Sequence, residues 1–254
     1  MDWNDPHAVS VFFELHSDLP RESPGLPDCT ARALDLWAPV FETGEVVDFG
    51  CGPGAQTMDF TRLLPTARIL AVDLHPPFVK EVRRRAAEEG LGHRVNARVG
   101  DMGDPAALGI EPGRVDLVWS EGAAYSIGVE NALRSWRPLL TPGGKIVFSE
   151  AIRLVEELPP AARKMWAEYP ELTDDLGTRQ RVTAAGLRCL TSFRLPSEAW
   201  TAYFEPLKAK LDLLEARYHN DPKALSVLAE NRREIEVFHA HGDAYGYAFF
   251  ICAL

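Results

Sequence analysis

Between residues 45 and 150 the chain alternates short apolar runs with amphipathic stretches. The runs are EVVDF (45–49), RILAV (68–72), RVNARV (94–99), VDLVWS (115–120) and KIVFSE (145–150). Each has strand length, and helical periodicity places helices near 55–64, 77–89 and 129–138. Pro76-Pro77 suits the first turn of the second helix, where no amide donor is needed. Thr141-Pro142-Gly143-Gly144 is turn chemistry that ends the third helix and launches the fifth strand. Strand alternating with helix predicts a doubly wound, mostly parallel α/β sheet.

The flanks break this rhythm. Residues 1–44 read as two helices, about 7–16 and 28–40, around the Pro- and charge-rich loop LPRESPGLP (19–27). Residues 151–185 read as helical, with breaks at Pro159-Pro160 and Pro170, and GLRCLTSFRL (186–195) as a sixth strand. Helices follow near 197–217 and 222–238, and the apolar run 244–253 is a seventh strand. No repeat, low-complexity tract or long linker divides the chain, so residues 1–254 read as one domain.

Composition narrows the class. With 46% hydrophobic and 25% charged residues, a packed core is expected. The net charge of −10, from 27 basic and 37 acidic residues, argues against nucleic acid, which needs a basic surface to displace counterions. The densest basic cluster, Arg83-Arg84-Arg85, is followed at once by Glu88 and Glu89, as on a solvated helix face. A small-molecule partner fits better. The four cysteines are scattered and form no CxxC pair, which suits a reducing cytosol. MDWNDPHAV lacks the basic and apolar regions of a signal peptide, and no apolar run is long enough to span a bilayer. A soluble, cytoplasmic protein without membrane attachment is expected.

The segment VVDFGCGPGAQT (46–57) concentrates the chemistry. A buried strand runs into Gly50, Gly52 and Gly54 and a helix then starts, so backbone can approach a ligand closely and helix amides face it. Gly50 to Ala55 also fits the dinucleotide pattern G-x-G-x-x-A. Asp73, at the end of LAVD, is the acid that either ligand needs for its ribose hydroxyls, or else a cap of the helix that follows.

Later landmarks favour one family. Asp48-Phe49-Gly50-Cys51-Gly52-Pro53-Gly54 resembles the first motif of class I S-adenosylmethionine (SAM) dependent methyltransferases, an acid followed by G-x-G-x-G. The resemblance continues through Asp73, with Leu74 beside it, through Asp101 and Met102 after the third strand, and through Ser120, Glu121 and Gly122 after the fourth. It ends at Leu140-Thr141-Pro142-Gly143-Gly144 before the fifth strand, and so covers about residues 45–150.

It implies a seven-stranded sheet with an antiparallel last strand, SAM as cofactor, and an adenine contact at Asp101 and Met102. WSEGAAYSIG (119–128), WRPLL (136–140) and FSE (148–150) further resemble small-molecule methyltransferases of the ubiquinone-biosynthesis group. That likeness implies an N-terminal lid (1–44), a SAM-binding core (45–150) and a substrate-side segment (151–254). Arg21 and Gly25 would be lid contacts, Arg21 to the SAM carboxylate, unless Arg21 is an exposed loop residue. No Asn-Pro-Pro-Tyr follows the fourth strand, which counts against methylation of DNA bases or protein glutamine.

Methyl transfer needs chiefly that a nucleophile be held in line with the sulfonium methyl. Glu121, Tyr125 and Glu150, at strand ends on the carboxyl side of the sheet, are the candidate catalytic residues. Their alternatives are loop orientation, packing and capping respectively. His239-Ala240-His241, read at a strand start, has no carboxylate or thiolate at ligand spacing, so no metal site is expected. Cys51 reads as a small filler. Trp166, Tyr169, Trp200, Tyr203 and Phe204 line a substrate pocket or form helix core, and their helical spacing favours core. Two other readings stay open: an NAD-dependent oxidoreductase, and a SAM-binding partner subunit without catalysis.

Overall fold

The computed structural model describes residues 4–36 and 44–254. The end of the helix expected at 28–40 falls partly outside them. The described chain begins with helices α1 (Pro6–His16) and α2 (Pro27–Asp35). It continues through β1 (Glu45–Phe49), α3 (Ala55–Leu63), β2 (Arg68–Asp73), α4 (Pro76–Glu88), β3 (Val95–Val99) and β4 (Val115–Glu121). Then come α5 (Val129–Trp136), β5 (Leu140–Arg153), α6 (Pro160–Met165), α7 (Asp175–Ala184) and β6 (Arg188–Arg194). The chain closes with α8 (Ser197–Arg217), α9 (Pro222–His241) and β7 (Tyr245–Ala253).

The seven strands form one sheet in the order β3-β2-β1-β4-β5-β7-β6. β1 to β5 run parallel, whereas β7 is antiparallel to both its neighbours, β5 and β6. Alternate strand residues feed two cores. Val46, Leu117, Trp119 and Val147 pack with residues of α1 to α4, α8 and α9 on one face. Val47, Val118, Ile146 and Phe148 pack with α5 and α7 on the other. β7 lies inside the sheet and is covered on both faces, so all nine of its residues are buried. Its near-continuous apolar sequence follows from that position.

Local chemistry starts the helices where the sequence suggests. Asp5 caps α1 by accepting from the His7 amide at 2.9 Å, and Asp221 caps α9 through Lys223 and Ala224, both at 3.1 Å. Each cap is followed by a proline in the first turn. α1 does not stand alone: Glu14 accepts from the Tyr218 hydroxyl at 2.6 Å, and His7 meets Asp221 at 2.7 Å. The N-terminal helix thus rides on α8 and α9.

Three expectations need correction. Residues 151–153 are strand, because β7 pairs with β5 without a break from Lys145↔Ala253 to Arg153↔Tyr245 and supplies partners that local pattern does not reveal. Thr141-Pro142-Gly143-Gly144 does not precede the strand but bulges out within it, since Leu140 pairs with Val115 and Lys145 with Leu117. His239 and His241 sit in the last turn of α9, and the strand begins only at Tyr245. Among the described residues no helix is long and apolar enough to cross a membrane.

The first turn after β1 is tightly packed. Gly50 has φ +67°, and a Cβ there would lie 2.3 Å from the Ala123 Cβ. Gly50→Ala is expected to destabilise the fold by about 2–4 kcal/mol through overpacking and left-handed strain. The midpoint Tm should fall by roughly 5–10 °C in a thermal melt. An unchanged Tm would contradict this packing.

Candidate active site

The carboxyl ends of β1 and β2 build the glycine loop. Amides of Gly50 and Cys51 donate to the Val72 carbonyl at 2.8 and 3.0 Å, which folds the loop over the end of β2. Asp73 completes the turn: one carboxylate oxygen accepts from the Gly52 amide at 2.9 Å and the other from the His75 amide at 2.8 Å. Asp73 therefore joins the loop to the start of α4, and burial pushes its pKa up against those bonds. Gly52 is buried beneath Glu22, the one residue that a Cβ there would meet, at 3.5 Å. Gly54, at φ +89°, precedes α3.

Asp48 lies beneath the loop, fully buried on β1. It accepts from the Thr57 hydroxyl at 2.5 Å and the Gln56 amide at 3.1 Å, both from the first turn of α3. Desolvation outweighs these bonds and raises its pKa to about 7. Cys51 is buried with its thiol pKa pushed well up by burial, which suits a filler better than a nucleophile.

Residues 19–30, a strap of loop and helix, meet the end of β4 through one carboxylate. Glu121, at the end of β4 and 4% exposed, accepts from Trp119 Nε1 at 3.0 Å, Thr30 Oγ1 at 3.1 Å and Arg21 Nη2 at 3.3 Å. Burial is the first cause of its raised pKa, and Arg21 opposes it. Ser23 adds a bond from its hydroxyl to the Glu121 carbonyl at 3.4 Å. Arg21 is buried, not an exposed loop residue, and it fills the space beside Gly25, where a Cβ would fall 2.3 Å from its guanidinium. Both Glu121 oxygens are thus engaged, and two of their three donors come from the strap and α2. Further along, Phe13 of α1 stacks on His75 with ring centroids 4.0 Å apart.

At the other edge, Asp101 is exposed and accepts from the Gly103 amide at 2.7 Å, while the Met102 carbonyl receives Trp136 Nε1 at 2.8 Å. Leu74 is 72% exposed beside Asp73, an apolar surface open to a flat ring. Ser120 is buried and its hydroxyl has no partner. Glu150 is 1% exposed: one oxygen accepts from the Ala151 amide at 2.9 Å and the other is unpartnered. Its pKa is raised to about 8 by burial. Tyr125, in a short 3-10 turn over 124–127, is half-exposed and meets Tyr169 edge-on at 5.7 Å. Trp200, Tyr203 and Phe204 belong to the core of α8, whereas Trp166 and Tyr169 keep buried polar atoms without partners.

Sequence reasoning missed Gln56 and Thr57, which hold Asp48, and Thr30 and Trp119, which hold Glu121. A search for polar residues one helical turn after the glycines would have found the first pair. The second pair depends on a contact between distant segments. Glu234 of α9 was missed as well, since nothing near it in sequence marks it.

Residues 46–144 match a sequence family described as a methyltransferase domain. The chain is 33% identical over 142 residues to nocamycin O-methyltransferase of Saccharothrix syringae, covering 55% of this chain and 46% of that one. It is 28% identical over 184 residues to trans-aconitate 2-methyltransferase of Methylobacterium nodulans, covering 67% and 61%. The chain thus spans about half the length of the curated relatives it matches first. In three dimensions it resembles a SAM-dependent methyltransferase of Thiobacillus denitrificans solved with S-adenosylhomocysteine (SAH). The TM-score is 0.80 at 19% identity, with 96% of this chain and 97% of that one covered. A counterpart from Geobacter sulfurreducens gives 0.79 at 18%, with the same coverage. The chain as a whole has the fold of these SAM-dependent methyltransferases.

Two outcomes test this geometry. Asp73→Ala removes two backbone anchors, so it should lower the ligand-free stability by about 1–2 kcal/mol and also weaken SAH binding in a calorimetric titration. Loss of stability with unchanged SAH affinity would leave Asp73 a turn residue only. The raised pKa values of Asp48 and Glu150 fix a pH trend. Both carboxyls are protonated more readily folded than unfolded, so their stabilisation is full below about pH 4 and is lost as pH rises through about 7 to 8. Tm should therefore fall from about pH 5 to about pH 9, and less steeply in Glu150→Gln. A Tm that rises over that range would contradict the burial of both groups.

Proposed function

We propose that the chain is a SAM-dependent methyltransferase acting on a small-molecule acceptor, with residues 1–254 working as one domain. The observation that carries this reading is the glycine loop itself. Gly52 is met by the Asp73 carboxylate and lies beneath Glu22, with the exposed Leu74 next to Asp73 in the chain. Carboxylate acceptors beside an apolar surface fit a ligand with vicinal hydroxyls and a flat ring. Asp73 would take the ribose hydroxyls, Asp101 and Met102 the adenine end, and Asp48 the methionine end through the loop. Gly50, Cys51, Gly54 and Ser120 would shape the floor. Arg21, fixed by Glu121, would face the ligand's carboxylate, with Gly25 leaving room for it.

The sheet order supports a methyltransferase over the dinucleotide oxidoreductase. The antiparallel β7 inserted between β5 and β6 is absent from the doubly wound order 3-2-1-4-5-6 that binds dinucleotides. Curated relatives named as methyltransferases point the same way.

SAM supplies an activated methyl on a sulfonium leaving group. The chain's task is then to bind, exclude water and align. Holding an acceptor in line is worth roughly 7–11 kcal/mol of barrier. The closed strap over β4 excludes water, and Tyr125 and Glu150 stand where they orient the acceptor or take its proton.

Thermal melts with added ligands test the reading. SAM or SAH at a hundredfold excess over Kd should stabilise the protein by about 2.7 kcal/mol, visible as a Tm rise, and NAD or NADP should give none. A shift with NAD and none with SAM would overturn the assignment.

A further inference from the structure

The β5–β7 pair continues beyond the end of β4, where Thr173 bridges Ile152 in place of β4. The last β4–β5 pair is Glu121↔Ser149, whereas β5 and β7 stay paired to Arg153↔Tyr245. Glu150 sits on this extension, and Tyr245 faces Trp166 edge-on at 5.4 Å, with Trp166 and Tyr169 6.5 Å apart. Tyr125 closes the row against Tyr169 at 5.7 Å. Among the described residues Glu150 Oε2, Trp166 Nε1, Tyr169 OH and Tyr245 OH have no well-aligned partner, with Tyr169 lying beside both Glu150 and Arg181. A buried polar group left so is costly and marks a place for a water, an ion or a functional role. A second acid, Glu234 of α9, makes no hydrogen bond among the described residues, and burial raises its pKa to about 7.

Acids outnumber cations around this wall. Glu150 is within electrostatic reach of Tyr125, Tyr169 and Tyr247, and also of Arg181 and Glu171. Glu234 reaches Tyr125, Tyr203, Tyr245, Tyr247 and His16. Both cations among these groups have carboxylate partners, and Arg181 also lies beside Tyr169 and Glu150. Arg181 donates to the Glu171 carbonyl and lies 3.9 Å from its carboxylate. His16 bonds Glu22 at 2.7 Å and Asn231 at 3.2 Å. An anionic acceptor would add a further negative charge to a site with two carboxyls, where among the described residues each nearby cation already has an acid partner. A cation would ionise both carboxyls and lie against aromatic faces, an arrangement that favours ammonium groups.

We infer that the methyl acceptor is an amine bound in its ammonium form, held between Glu150 and Glu234 within the aromatic wall. This rests on the methyl-transfer reading above. The Glu150 carboxylate takes one N–H proton from the ammonium group. The freed nitrogen lone pair forms the new N–C bond as the S–C bond breaks, and the electron pair of that bond stays on sulfur. SAH leaves with a neutral sulfur, the methylated nitrogen carries the positive charge, and Glu150 returns its proton to water. Glu234 remains as the counter-charge.

The test is calorimetric titration of the SAH-saturated full chain with three probes of matched shape: choline, 3,3-dimethylbutan-1-ol and 3,3-dimethylbutanoate. Choline should bind at least about tenfold more tightly than the neutral alcohol, and the acid more weakly than both. Choline binding should also release protons, read as a heat that changes with the ionisation enthalpy of the buffer. Glu150→Gln and Glu234→Gln should each lower choline affinity by about tenfold while keeping SAH affinity within about twofold, which also certifies their folding. Tyr125→Leu, at a half-exposed position, should weaken choline with SAH affinity equally preserved. Normal SAH binding with no preference for choline over the alcohol, or with the acid bound best, would overturn the inference and leave methyl transfer intact. Failure of the wild-type protein to bind SAH would overturn the methyl-transfer reading and this inference with it.

Discussion

A single buried carboxylate organises the molecule around its site. Glu121 ends the central strand β4, and water is excluded from it. A buried charge is tolerable only when it is paired and hydrogen-bonded, and its partners come from three places: Trp119 on the same strand, Thr30 on α2 and Arg21 in the strap. If the N-terminal segment left, two of the three donors would leave with it. Removing one partner of a buried ion pair commonly costs about 3–5 kcal/mol. The strap is therefore tied to the sheet by electrostatics as much as by the apolar contacts of α1 and α2. Its closure places Glu22 and Ser23 over the glycine loop and beside Gly122.

The same logic runs through the rest of the floor. Asp48 and Asp73 are carboxylates that burial would expel unless their oxygens were occupied. Each is met by groups from the loop-helix junction: Thr57 and Gln56 for Asp48, the Gly52 and His75 amides for Asp73. The loop conformation and the acid positions thus fix one another. The cost is a fold that carries several raised carboxyl pKa values, at about 7 for Asp48 and Glu234 and about 8 for Glu150. Where such groups stand in a cleft, they are suited to proton transfer near neutrality.

Much of this was legible in the sequence because it is local. The strands of the core, the glycine turn and the acids at the ends of β1 to β3 declare themselves by period and spacing. Helix starts with Pro in the first turn are equally direct. What escaped depends on partners far away in the chain. Residues 151–153 look helical until β7, about a hundred residues later, lies alongside them. Thr30 and Glu121 are separated by 91 positions, so no window of sequence joins them. Glu234 looks like any polar residue of a long surface helix, and only tertiary packing buries it against the aromatic wall. His239 and His241 were misread for the opposite reason: their alternation suggested a strand, but α9 continues through them.

Glu121 holds the strap shut, and hydrogen exchange of residues 19–30, followed by mass spectrometry in the wild type and in Glu121→Gln, reads its opening. In the wild type this segment should exchange slowly, and more slowly still with SAH. In Glu121→Gln the segment should exchange about tenfold faster or more without ligand, while β1 and β4 keep their protection. Equal exchange of residues 19–30 in the two proteins would contradict it.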